Sequence, residues 1–182
     1  MNKLEGTTIC AVRKGGVVAI AGDGQATSGD TVVKGNSRKI RRIFDDKIIT
    51  GFAGTVADAF VLFDLFESKL KEASGDLSKA IISLAREWRM DRNYRKLEAV
   101  ILASDGDKLF YVSGAGDILE PEYDAIGIGS GGNYAQSAAR AYLDYPNDLT
   151  AEQIARKAVS IAADICIYTN HNIISDHLEG RK

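Results

Sequence analysis

The first arrangement in the sequence able to do covalent chemistry is Gly6-Thr7-Thr8, six residues from the start of the chain. Threonine is a good strand former, so the pair also reads simply as the head of a β-strand. Cleavage of the Gly6–Thr7 bond would give Thr7 a free α-amine beside its own hydroxyl. Such an amine titrates at about 7.7–8.0 and can serve as general base for the hydroxyl. An alcohol then becomes a usable nucleophile without a histidine. Gly6 suits this chemistry, because a residue without Cβ lets the chain bend tightly toward its own carbonyl.

Other groups have two readings each. Asp23 lies between Gly22 and Gly24, where a turn residue is ordinary. Lys39 sits in the run Arg38-Lys39-Ile40-Arg41-Arg42, which by itself reads as a solvated strand or turn. Ser130 precedes Gly131-Gly132 and could cap a following helix. Gly51 and Gly54 suit a strand-to-helix turn. Gly127–Gly132 formally matches GxGxxG, with Asp144 and Asp148 at about the distance a dinucleotide site needs. That rival lacks a following parallel strand, since residues 133–182 hold at most one weak strand. Cys10 and Cys166 form no CxxC pattern, and Cys166, His171 and His177 lack helical metal-ligand spacing. No GxxxxGK[ST] motif occurs, so ATP chemistry is not expected on this chain.

The elements that must position these groups follow from patterning. Residues 7–13 and 17–22 form a hairpin around Lys14-Gly15-Gly16. Strands follow at 40–44 and 47–52, turning at Asp45-Asp46. A helix begins near Gly54, with Val56, Ala59, Phe60, Phe63, Phe66 and Leu70 on one face. A second spans about 76–95, with Ala80, Ile81, Leu84, Ala85 and Trp88 inward. Strands resume at 98–104, 108–113 and 123–129. A helix spans 133–143, and Thr150 with Gln153 opens another through a capping box, burying Ile154, Ala158, Ile161, Ala162 and Ile165. Residues 172–175 suit a final edge strand. Strands, two helices, strands, two helices argue an α+β fold in which each of two stacked antiparallel sheets is covered by a helix pair.

Composition agrees with one ordinary domain. The chain has 182 residues, 45% hydrophobic and 26% charged, with net charge −2. Neither nucleic acid nor an anionic membrane is suggested as partner. The N-terminus lacks a signal-peptide core and no apolar run approaches ~18 residues, so a cytoplasmic location is expected.

Taken in order, several segments resemble the HslV (ClpQ) family of proteasome-like threonine peptidases. They are Gly6-Thr-Thr-Ile9, Gly22-Asp-Gly-Gln25, Gly35–Arg42, Gly51–Phe60, Glu87–Arg92, Ala125–Ala135 and Ile165–Asn170. Together they span Thr7 to about residue 176. The resemblance implies a four-layer α/β/β/α sandwich of the N-terminal nucleophile hydrolase type. It makes Thr7 both nucleophile and base, and Lys39 the neighbouring cation. Asp23 becomes the carboxylate that orients Lys39, Ser130 a proton relay, and Gly51 the oxyanion donor. It also implies a sodium site of backbone carbonyls at Ala163, Cys166 and Thr169. As partners it implies a double hexameric ring of this chain, a AAA+ ATPase of the HslU (ClpY) type, and unfolded protein substrates. Residues 1–6 then form a leader, removed by autoprocessing or another protease, ahead of one domain over 7–182. A catalytically silent structural subunit and another N-terminal nucleophile amidohydrolase remain alternatives.

Overall fold

A computed structural model describes residues 4–181, with Leu4, Glu5, Val56 and Ala57 described by their backbone alone. The first three residues of the expected leader therefore lie outside the described residues. The chain runs β1 (Leu4–Glu5), β2 (Thr8–Lys14), β3 (Val17–Gly22), β4 (Ala26–Ser28), β5 (Thr31–Lys34), β6 (Ile40–Ile43) and β7 (Ile48–Gly54). Helices α1 (Val56–Glu72) and α2 (Leu77–Met90) follow. Then come β8 (Ala99–Ser104), β9 (Leu109–Ser113), β10 (Ile118–Leu119), β11 (Ala125–Gly129), α3 (Gly132–Asp144), α4 (Ala151–Ile165) and β12 (Ile174–Glu179).

Two antiparallel sheets, ordered β10-β9-β8-β7-β6 and β11-β2-β3-β12, carry the architecture. Three apolar clusters define its layers. Ile9, Ile20, Ile40, Ile49 and Leu102 pack between the sheets. Phe52, Phe63, Phe66, Leu84 and Trp88 fill the space under α1 and α2. Cys10, Ala19, Ala21, Ala155, Ala158 and Ala162 fill the space under α3 and α4. Burying one face of each sheet on the other and the opposite face under helices gives the expected four-layer α/β/β/α sandwich.

Local chemistry explains most boundaries. Thr55 caps α1 by accepting from the Asp58 amide, and Asp76 caps α2 by accepting from Lys79. The Thr150–Gln153 capping box opens α4. Helix α2 stops at Met90, short of the expected 95, and β12 is longer than the expected 172–175. Two expectations for buried faces fail: Phe60 is 52% exposed and Ile165 is 56% exposed. A small third sheet, β1-β4-β5, extends from the sandwich. In it Leu4 pairs with Ser28 and Glu5 with Thr27, so the leader backbone is held as a strand.

Candidate active site

Antiparallel connection gathers the singled-out residues at one end of the two sheets. Thr7 immediately precedes β2, Asp23 follows β3, Lys39 precedes β6 and Ser130 follows β11. A hairpin brings the start of one strand beside the end of the next, and the β2–β3 and β11–β2 pairings do this for Thr7, Asp23 and Ser130. In β6 the period of two then separates functions. Ile40 enters the core between the sheets and Arg42 reaches Asp176 on β12, while Lys39 and Arg41 line the cleft.

Lys39 and Asp23 form a buried ion pair at 2.8 Å, with side-chain exposures of 9% and 0%. Both partners are fully engaged. The Lys39 ammonium donates to Asp23 Oδ1, to Gly6 O at 2.9 Å and to Gln25 O at 2.6 Å, which uses its three hydrogens. Asp23 Oδ1 also accepts from the Thr8 amide, and Oδ2 from the Gln25 and Asn170 amides. Burial pushes the Lys39 pKa down, and the Asp23 charge and hydrogen bond oppose that shift. Removing either partner would strand a buried charge.

Thr7 Oγ1 donates to Gly6 O at 2.6 Å, so hydroxyl and ammonium converge on the carbonyl of the bond before Thr7. Gly6 has φ +105°, and a Cβ there would stand 3.0 Å from Thr27 Oγ1. A left-handed, sterically confined position explains a glycine before Thr7. On the opposite side, the Thr7 amide donates to Ser130 Oγ at 3.4 Å. The Ser130 amide and hydroxyl both donate to Thr7 O, at 2.8 and 3.2 Å. Gly129, at φ +85°, lets the chain turn against the Thr7 carbonyl, where a Cβ would collide with it. The glycine run is thus filled by Thr7, Thr8 and Gly132, and β11 pairs antiparallel with β2. A dinucleotide phosphate has no room in it, and the parallel sheet it needs is replaced by an antiparallel one.

Gly51 requires a correction. It lies inside β7, paired with Ile40 on one side and Leu102 on the other. A Cβ on it would press on Ile9 and Ile20 of the other sheet. Its amide belongs to the ladder, away from Thr7. Gly54 lines both cavities that flank Thr7. The Phe52 amide donates across to Lys39 O just before β6 begins. Two residues on, the Gly54 amide points the same way, past the end of that strand and into the cleft. Gly54 is therefore the glycine placed to supply an oxyanion donor.

Several contributors escaped sequence reasoning. Asn170 ties three loops, accepting from Gly24 and donating to Gly35 O beside its bond to Asp23. Gln25 reaches Thr27 Oγ1 and Ile167 O. Thr8 Oγ1 and Thr169 Oγ1 share a buried hydrogen bond at 2.7 Å, and the Gly131 amide donates to Thr8 Oγ1. Polar residues in loops beside an Asp or Ser motif were the only available signal.

Ala163 lies in the last turn of α4 and Cys166 caps it, where carbonyl oxygens lack continuing helical donors and carry partial negative charge, while Thr169 follows in the adjoining turn. Cys166 O accepts from the Thr169 amide at 3.0 Å. The donor type fits a hard monovalent cation. Among the described residues no cluster of His, Cys, Asp or Glu side chains could hold a metal. His171 instead meets Asp164, and His177 meets Glu152. No helix among the described residues is long and apolar enough to cross a membrane.

Comparison with known proteins gives the family and the fold. Residues 4–176 match the family model for a proteasome subunit. The crystal structure of eukaryotic HslV from Trypanosoma brucei superposes with a TM-score of 0.89 at 42% identity, over 94% of this chain and 99% of that one. Thiobacillus denitrificans BPH is 24% identical with a TM-score of 0.76, over 96% of this chain and 98% of that one. Its complex with epoxomicin, also 24% identical, gives 0.77 over 96% and 100%. At that identity the last two show a shared fold.

Proposed function

The chain belongs to the proteasome family, and from that premise we propose that it is an HslV-type threonine endopeptidase subunit acting through Thr7. The observation that carries this reading is the convergence of the Thr7 hydroxyl and the Lys39 ammonium on the Gly6 carbonyl. In the leader-bearing chain that carbonyl is itself the first substrate. Attack by Thr7 Oγ1 on the Gly6 carbonyl carbon breaks the Gly6–Thr7 C–N bond and moves the acyl group to oxygen. The hydroxyl proton passes to the freed amine, and water hydrolyses the ester, leaving Gly6 as a carboxylate. Lys39 polarises the carbonyl, and the Gly54 amide is placed to donate a hydrogen bond to the oxyanion that develops on it.

After processing, the Thr7 amine takes the proton of Thr7 Oγ1 as the hydroxyl attacks a peptide carbonyl. The leaving amine departs with a proton, and the same Thr7 amine then activates water against the acyl-enzyme. Ser130 Oγ lies beside the amine and suits proton relay, while Asp23 keeps Lys39 aimed into the cleft. Sodium held by the carbonyls of Ala163, Cys166 and Thr169 would add fixed charge that steadies the 166–170 turn. That turn carries the Thr169 and Asn170 contacts to Thr8 and Asp23.

Likeness to eukaryotic HslV supports the rest of the reading. The subunits assemble as a double hexameric ring in the cytoplasm, and an HslU-type AAA+ ATPase feeds them unfolded protein chains. The decisive experiment is intact mass and N-terminal sequencing of wild type and Thr7→Ala, followed by exposure to epoxomicin, the ligand of the Thiobacillus denitrificans BPH complex. Wild type is expected to begin at Thr7 and form an adduct there. Thr7→Ala is expected to keep its leader, form no adduct and cleave no peptide. A leader retained in both would leave Thr7 without a free amine and favour the silent-subunit reading.

A further inference from the structure

On the leader side of Thr7 lies a cavity of about 500 Å³. Its orientation follows from β1, which pairs with β4 and runs into Gly6, so residues preceding a scissile bond approach along that edge. Residues from β4, β5, β6, β7 and α1 line the cavity. Gly6 touches it without a side chain to fill it, leaving the space for the side chain that a longer residue would place before the cut.

The wall has an uneven character. Its aromatic surface comes from Phe52, Phe60 and Phe63, and its ionisable side chains are all cations: Lys34, Arg38, Lys39 and Arg41. No Asp or Glu is among the described residues that line it. Lys39 is committed to Asp23, Gly6 and Gln25, whereas Arg41 is held by ring contacts. Its guanidinium carbon stands 4.8 Å from the Phe60 ring centroid and 5.2 Å from that of Phe63. Cation–π contact with two rings holds a guanidinium in place while leaving its edge donors available. Among the described residues no carboxylate pairs with Arg41. The same contact accounts for Phe60, which helical periodicity assigns to the core and which instead stands 52% exposed at the cavity wall.

We propose that Arg41, clamped by Phe60 and Phe63, sets the residue accepted before the cut: a long side chain with an apolar stem and a neutral or anionic end. Lysine and arginine are rejected there. An apolar stem meets the aromatic rings, an acceptor at its end meets guanidinium N–H groups, and a cationic end meets like charge with no carboxylate to offset it. This specificity rests on the threonine peptidase reading above.

The test uses assembled, leader-free chain and a series of fluorogenic peptides identical except for Phe, Glu, Gln or Lys before the reporter amide. Wild type is expected to show kcat/KM for Phe and Glu at least about tenfold above Lys, given the cost of juxtaposed like charges. Arg41→Gln is expected to bring the Glu-to-Lys ratio down toward one, and Arg41→Lys to keep most of it. Lys peptides cleaved as well as Phe and Glu peptides by wild type overturn the proposal, as does an unchanged ratio in Arg41→Gln. If no peptide in the series is cleaved although Thr7 is free and the assembly intact, the peptidase reading falls and this proposal with it.

Discussion

The two helix layers are built from different materials. Beneath α1 and α2 the core is bulky, with Phe52, Phe63, Phe66 and Trp88 among leucines and isoleucines. Beneath α3 and α4 it is mostly alanine, including Ala135, Ala139, Ala151, Ala155, Ala158 and Ala162. Large side chains fill a gap between helix and sheet and can leave a cavity at its margin, which is where Phe60 and Phe63 meet Arg41. Small side chains bring α4 close to β2 and β3 and admit the tight packing of Gly127 on Gly132. The alanine layer ends in the Ser130 turn at one helix and the 166–170 turn at the other, both touching Thr7, Thr8 or Asp23. The layer under α1 and α2 therefore shapes what enters the cleft, and the alanine layer steadies Thr7, Thr8 and Asp23.

The sharpest way to break this contrast is to empty one layer and crowd the other. Trp88 is fully buried and donates from Nε1 to Leu97 O. Trp88→Ala is expected to lose about 3–5 kcal/mol, the usual loss for deleting a buried aromatic side chain. Urea denaturation measures that loss. The molecules that remain folded are expected to keep near-normal turnover per active site, because Trp88 sits away from Thr7 and its partners. Ala158→Leu should cost less, about 1–3 kcal/mol from overpacking, yet it should lower turnover per folded molecule more than Trp88→Ala does. The added side chain pushes α4 from β2 and β3, and the 166–170 turn moves with it. Equal turnover in the two variants, normalised by active-site titration, would show that the layers do not divide the work in this way.

The same division governs what could be read without coordinates. Long elements with strong periodicity were legible: α2 and α4 bury the expected Ala80, Ile81, Leu84, Trp88, Ile154 and Ala158, and the Thr150–Gln153 box is present. The β4–β5 hairpin was not, because all of β5 is exposed and offers no alternation. Phe60 misled because period 3.6 reports an apolar face without saying whether a core or a cleft lies against it. Lys39, Asp23 and Ser130 were singled out by their motifs, and strand pairing is what gathers them around Thr7. The choice between Gly51 and Gly54 could not be made from residue type. It depends on where β6 begins, since only beyond Ile40 does an amide on that edge of β7 face the cleft.

The smallest expected effect lies at the seam joining the two halves. Arg42 on β6 makes two hydrogen bonds of 2.6 Å to the carboxylate of Asp176 on β12, and a third to His177 O. Arg42 holds the Asp176 carboxyl below the usual carboxylate range, helped by the His177 amide. A carboxylate with a depressed folded pKa adds stability above its unfolded value of about 3.9, and loses it as pH falls through the depressed one. Both side chains are about a third exposed, so solvent screening limits the pair to roughly 0.5–1 kcal/mol. Asp176→Asn should therefore destabilise by no more than that at about pH 7. The difference from wild type should shrink as the pH drops below the ordinary carboxylate range. Because the pair bridges sheets without touching either helix layer, turnover at Thr7 should stay unchanged. A stability gap that persists undiminished in acid would assign the effect to packing of β12 on β3 rather than to charge.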